Sequence, residues 1–323
     1  MNNPIVLISK NPDDLKFASE VAGRLTSQLH VVDSAAAGWK LIRQKELKRP
    51  LLFVDVSTDA MVEEFVNTFR TITGPDYNII PARNVNLITA EDAPVNPDLL
   101  SQSHLYDHVI LREFAKTRES ANYYCDMVVD WICDGISAKA TSLQTIQQVR
   151  ITHSDQKQFV LEKVNDFLVR ETIFQERMIN TIVTAVDELL MNAVYDAPEE
   201  KLKVSFPRET SFALTRENSV ELMIRKEGDW VSFTVIDHHG SVDRGKLMCR
   251  LFKNRYFDTG TLDFDKGDEG GAGIGLAQTL RKGGSLTFFC KKGVRTEVTV
   301  AFRMVHSYRE FKSQFRAVSI YHC

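Results

Sequence analysis

Cysteine is scarce in this chain and poorly spaced for chemistry. Five occur in 323 residues, Cys125, Cys133, Cys249, Cys290 and Cys323, and no two stand in a C-x-x-C arrangement. An odd, scattered set points to reduced thiols in a cytoplasmic protein and away from a disulfide framework or a zinc site. Long apolar runs are missing too, which leaves nothing expected to span a membrane. The opening Met1-Asn2-Asn3-Pro4 has no basic segment followed by an apolar stretch, so no signal peptide is expected. No block of Lys and Arg stands out. Net charge is −3, with 13 Lys/Arg against 19 Asp/Glu in residues 1–137 and 27 against 24 in the remainder. Such a balance gives no footprint for nucleic acid. The glycine-lysine-serine/threonine sequence of a P-loop is also absent. What remains is 43% hydrophobic and 26% charged, an ordinary composition in a chain long enough for two domains.

The chain is organised around the stretch Thr184 to Pro198. Val183, Val186, Leu190, Ala193 and Ala197 recur at helical spacing, and Pro198 helps to end the helix. On the opposite face fall Glu188, Asn192 and Tyr195, with Thr181 and Thr184. A carboxylate and an amide one turn apart can do two jobs. The amide oxygen can ligate a hard cation such as Mg²⁺, and the carboxylate can take a proton from a nearby water or hydroxyl. Taken alone, the pair also suits the solvated face of an ordinary amphipathic helix.

Two later segments bear on that choice. Val231 to Asp237 alternates, is rich in β-branched residues, and reads as a strand ending in an acid. Gly270-Gly271-Ala272-Gly273-Ile274-Gly275-Leu276 then precedes a helix-like run. Glycines let a backbone approach phosphates closely, and a helix N-terminus points N–H groups at them. The order of acid-amide helix, strand-end Asp, glycine loop, helix and paired strands resembles the GHKL (Bergerat-fold) ATP-binding domain. Glu-Leu-Leu-Met-Asn-Ala, residues 188–193, looks closest to the anti-sigma serine kinase branch. The resemblance implies ATP and Mg²⁺ as cofactors. It makes Glu188 the general base, Asn192 the Mg²⁺ ligand and Asp237 the acceptor for the adenine amino group. Gly271, Gly273 and Gly275 become the second glycine box, and Thr296, in Gly293-Val294-Arg295-Thr296, matches a threonine near the nucleotide. The family carries glycine two and four residues after the strand-end Asp; here His239 and Ser241 stand there, and Gly240 between them is the candidate left for this first, degenerate glycine box.

The first 137 residues alternate strands and helices. Strands are expected at Pro4–Ser9, His30–Val32, Leu51–Asp55, Val85–Thr89 and His108–Leu111. Helices are expected from Pro12 behind an Asn11 cap, then at Ala35–Gln44, Ala60–Thr71 and Glu119–Trp131. Asp13 and Asp14 read as first-turn helix acids. Apolar strands in this alternation form a parallel sheet covered on both faces, with Ser9, Asp55, Thr89 and Arg112 converging at the strands' C-terminal ends. The order resembles the receiver domain of response regulators, and Asp55 matches the phospho-accepting aspartate. The departures are Ser9 and Lys10 where the acidic pair would stand, Arg112 for the lysine and Glu113 for the proline. They imply a pseudo-receiver that works by contacts, with Asp55 paired to Lys10 or Arg112.

Ser137–Ser142 is expected to be a small, polar linker or else the end of a continuous helix joining the domains, and residues 138–323 form the second domain. It should open with a strand at Gln147–Thr152 and a helix Gln156–Arg170 capped by Ser154. A hairpin turns around Glu227-Gly228-Asp229, and antiparallel strands lie at Ser285–Cys290 and Glu297–Arg303. Leu247–Phe257 reads as a helix and 258–269 as a lid. His153, followed by Ser and Asp at a strand-helix junction, reads as a turn residue, and His306–Cys323 has no counterpart in the resemblance.

The expected fold class is therefore α/β: a receiver-like doubly wound parallel sheet, then a GHKL α/β sandwich with helices on one face of a mixed sheet. The expected function is a cytoplasmic signalling protein that binds Mg-ATP and phosphorylates a partner on Ser/Thr, regulated by its first domain. By resemblance the partner is an anti-sigma antagonist or a sigma factor, and a homodimer is a candidate assembly. Two alternatives stand beside it: a nucleotide-gated sequestering module without phosphotransfer, and a histidine-kinase-type output.

Overall fold

The computed structural model describes residues 3–70, 80–90, 105–112, 125, 128–129, 145–198, 211–215, 218–243, 245–247, 251, 276, 279–280, 282–312, 314 and 316–322. The chain divides into two compact α/β units, Met1–Thr141 and Ser142–Cys323. The expected linker, the body of the helix 119–131, the helix 247–257 beyond Leu247 and Leu251, and the lid 258–269 lie outside the described residues, as do residues 199–210.

In the first unit, β1 (Ile5–Ile8), α1 (Pro12–Leu25), β2 (Leu29–Val32), α2 (Ala35–Gln44), β3 (Leu51–Asp55), α3 (Asp59–Arg70), β4 (Val85–Thr89) and β5 (His108–Leu111) follow in turn. The strands are parallel and lie in the order β2-β1-β3-β4-β5. Every residue of β1, β3, β4 and β5 is buried, so both faces of this part of the sheet are covered. That is why these strands read as unbroken apolar runs. Local chemistry starts α1 where expected: the Asn11 side chain accepts the Asp13 N–H at 2.9 Å, and Pro12 supplies the first helical φ. Phe17 of α1 meets Phe53 of β3 edge to face at 5.6 Å.

The second unit runs β6 (Thr145–Ile151), α4 (Gln156–Glu171), α5 (Glu176–Met191), β7 (Val220–Glu227), β8 (Trp230–Asp237), β9 (Ser285–Lys291), β10 (Arg295–Arg303), α6 (Tyr308–Lys312) and β11 (Ala317–His322). Strand order is β11-β9-β10-β8-β7-β6. All neighbours are antiparallel except β11, which runs parallel to β9. Helices α4 and α5 pack on each other, joined by Lys157 Nζ to Asp187 at 2.5 Å, and α5 lies against β8 and β10.

Two expectations are corrected here. Ser154 does not cap α4; its hydroxyl accepts the Phe212 N–H at 3.0 Å, and the Gln156 side chain accepts the Thr152 and His153 N–H groups instead. The helix of Thr184–Pro198 begins earlier, at Glu176, and is α-helical only to Met191; residues Asn192–Asp196 form one π turn closed by the Ala197 N–H on the Asn192 carbonyl. With that wider turn Tyr195 leaves the polar face. It is 6% exposed and meets Phe212 edge on at 5.5 Å, whereas Val183 is only half-buried. Asp13 and Asp14 stand in the first turn of α1 as expected, and Asp14 is fully buried there.

The described residues among 306–322, unassigned from sequence, add to the core. Phe311 stacks on Phe302 at 5.6 Å and meets Phe174 edge on at 5.7 Å. Gly283 (φ +107) lets the chain pass the Phe311 carbonyl, which a Cβ would approach to 2.2 Å. The Gln314 carboxamide then pairs with both backbone groups of Arg303, each at 2.7 Å, as a strand residue would.

Candidate functional site

A cleft in the second unit, of about 750 Å³ including the open space at its mouth, lies between α5 with its π turn and the sheet. The helical wall supplies Leu189, Asn192, Ala193 and Asp196; the sheet supplies Val235, Asp237, Thr296, Val298 and Phe288. Strand pairing decides which sheet residues meet. Asp237 of β8 is directly opposite Thr296 of β10, and one row away Val235, Val298 and Phe288 stand side by side. A polar row thus sits beside an apolar one on the face turned to the helix. Residues fifty-nine positions apart become neighbours through the sheet, which no local pattern displays.

Asp237 is 5% exposed, and its Oδ1 accepts the His239 N–H at 2.8 Å. The loop leaving β8 is fixed by Gly240, whose φ of +59 and approach to the Lys291 carbonyl admit no side chain: a Cβ would lie 2.2 Å from that oxygen. The Gly293 N–H donates to the Gly240 carbonyl at 3.0 Å, clasping the loop to the β9–β10 turn. Gly240 does not line the cleft; it sets the course of Ser241, Val242 and Asp243, which do.

Two acceptors stand out. The Asn192 Oδ1 and the Thr296 Oγ1 are buried and make no hydrogen bond among the described residues, although both residues line the cleft. Thr296 is 1% exposed. A buried oxygen left this way costs about 1–3 kcal/mol, so each is poised for a donor or a cation. Asp196, one turn beyond Asn192, and Lys246 also line the cleft. Sequence reading passed over both, although the i, i+4 relation of Asn192 and Asp196 was visible. Glu188 lies one turn before Asn192, whose N–H bonds to the Glu188 carbonyl; Glu188 is half-buried and outside the cleft's described lining. Gly271, Gly273 and Gly275 lie outside the described residues, but Leu276, next in the chain, is buried and lines the cleft. His153 sits at the turn between β6 and α4, hydrogen-bonded to Asp155.

In the first unit the C-terminal ends of the strands hold a compact ionic cluster. Arg112 reaches Asp14 with Nε at 2.7 Å and Nη2 at 2.8 Å, Asp55 with Nη2 at 2.8 Å, and the Ser57 hydroxyl with Nη1 at 2.8 Å. Ser9 Oγ donates to Asp14 at 2.7 Å, and Ser57 Oγ to Asp55 at 2.6 Å. Ser9, Asp55 and Arg112 therefore meet, Arg112 and not the exposed Lys10 is the partner of Asp55, and Asp14 joins them. Thr89 is buried, and its hydroxyl turns to the Ala90 carbonyl at 3.4 Å. Burial opposes the Arg112 charge, but hydrogen bonds and attraction from Asp14 and then Asp55 outweigh it and hold its pKa above the ordinary value. Burial pushes the Asp14 carboxyl up, against the pull of Arg112 and Ser9.

No model of a known protein family matches the chain, and no curated protein matches it. Among the described residues no helix is long and apolar enough to cross a membrane.

Proposed function

We propose that the second unit binds Mg-ATP in this cleft and transfers the γ-phosphoryl group to Ser or Thr of a partner protein, as a GHKL-type kinase similar to the anti-sigma serine kinases, with the receiver-like first unit as its regulator. The observation that carries the reading is the convergence of Asn192, Asp237 and Thr296, three residues singled out from distant stretches, on one cleft with an apolar row beside them. Asp237 accepts the adenine amino group, Thr296 bonds beside it, and the base lies along Val235, Val298 and Phe288. The unsatisfied amide oxygen of Asn192 fits a hard cation. Bound there, Mg²⁺ neutralises phosphate charge. Glu188 takes the proton of the attacking hydroxyl. The test is to identify proteins that co-purify with the chain and follow labelled phosphate from ATP. Label on Ser or Thr of a partner supports the reading.

A second reading is a nucleotide-gated binder that sequesters its partner without transferring phosphate. His239 and Ser241 at the two expected glycine positions favour it, as does the place of Glu188 outside the described lining. ATP-dependent capture with no label transferred would establish it over the kinase. Label on a histidine would instead mark a histidine-kinase-type output.

A further inference from the structure

We infer that Arg112 is the resident cation of a two-carboxylate site in the first unit, and that this site takes a divalent metal ion once Arg112 is removed. The guanidinium is enclosed by oxygen: both carboxylate oxygens of Asp14, Asp55 Oδ1 and the Ser57 hydroxyl lie 2.7–2.8 Å from its nitrogens, and the Ser9 hydroxyl completes the shell of Asp14. Oxygen-only surroundings, two of them anionic, are the chemistry that hard divalent cations seek. The side chain of Asp14 is 0% exposed and that of Asp55 8%, so water cannot disperse their charges. Two carboxylates so placed need a cation between them, and this chain supplies its own, from the end of β5 to α1 and the end of β3. The first unit is thereby set without metal, and Asp55 is held by Arg112 and Ser57 where an incoming phosphoryl group would have to displace both. The inference is independent of the nucleotide reading of the second unit.

The test is Mn²⁺ binding to the full chain without nucleotide, read by electron paramagnetic resonance and calorimetry. Arg112→Gln should gain one Mn²⁺ per chain over wild type, with a Kd on the order of 10⁻⁴–10⁻³ M, as in sparse oxygen sites. Arg112→Lys, which keeps the charge, should gain none, and Arg112→Gln with Asp14→Asn should lose the gain. A folded Arg112→Gln protein with wild-type Mn²⁺ stoichiometry would overturn the inference, as would a gain that survives Asp14→Asn. If Arg112→Gln does not fold in metal-free buffer, folding restored by Mn²⁺ but not by K⁺ of equal ionic strength supports it, and no restoration overturns it.

Discussion

Asp237→Asn separates the proposed ligand role of this residue from its structural one. The side chain already accepts the His239 N–H through Oδ1 at 2.8 Å, in a position 5% exposed. Asparagine keeps an oxygen for that bond and keeps the shape, so stability should change by no more than about 1 kcal/mol. The other carboxylate oxygen becomes an amide N–H₂. In the proposed complex it would then face the adenine amino group, donor against donor. A buried donor without an acceptor costs about 1–3 kcal/mol, which is about 5- to 150-fold in Kd. Asp237→Ala would weaken binding as well, but it also strands the His239 N–H and confuses the two effects. The assay is calorimetric titration of Mg-ATP into wild type and variant, with thermal denaturation alongside. Equal ATP affinity in the two proteins would refute the assignment of Asp237. Reduced affinity together with a large loss of stability would show that the residue acts through the fold.

Glu188→Gln keeps hydrogen-bonding ability and removes the base; a kinase should retain ATP binding and lose about 10²–10⁴-fold in phosphoryl transfer, whereas a nucleotide-gated binder should signal normally in cells carrying this variant. Asp55, engaged by Arg112 at 2.8 Å and by Ser57, should form no adduct with acetyl phosphate or beryllofluoride, and a Mg²⁺-dependent mass increase on it would contradict this. His30 is 7% exposed, and burial, aided by Lys45, lowers its pKa below 6.5. The unfolded chain therefore binds this proton more readily than the folded one, and the stability tied to a neutral His30 is lost as pH falls below about 6.5. His30→Asn should flatten the fall in melting temperature between pH 7 and pH 5, and an unchanged slope would argue against that role.

What sequence made legible follows a physical line. The strands β3, β4 and β5 were placed to the residue because apolar runs buried on both faces end sharply at polar residues. The start of α1 was equally plain, because its cap chemistry is local to Asn11 and Pro12. Asp14 was legible as a first-turn acid of α1, but not as a member of the ionic cluster, because its partner, Arg112, is 98 positions away. Tyr195 was misplaced because a period of 3.6 was carried through a π turn that nothing in the local pattern announces. Asn192, Asp237 and Thr296 could be named one at a time, but their meeting depends on the register of β8 with β10. The packing of α6 and β11 was unreadable because Phe311 and Gln314 find their partners, Phe302 and Arg303, only in the tertiary fold.

The central claim is that the cleft beside Asn192 holds a nucleotide together with Mg²⁺. Calorimetric titration of ATP into the full-length wild-type and Asn192→Ala chains, each with and without Mg²⁺, tests it most directly. The expected result is one ATP per wild-type chain, bound more tightly with Mg²⁺ present, and loss of that Mg²⁺ enhancement in Asn192→Ala. No ATP binding by the wild type, or an Mg²⁺ enhancement that Asn192→Ala leaves intact, would contradict the account.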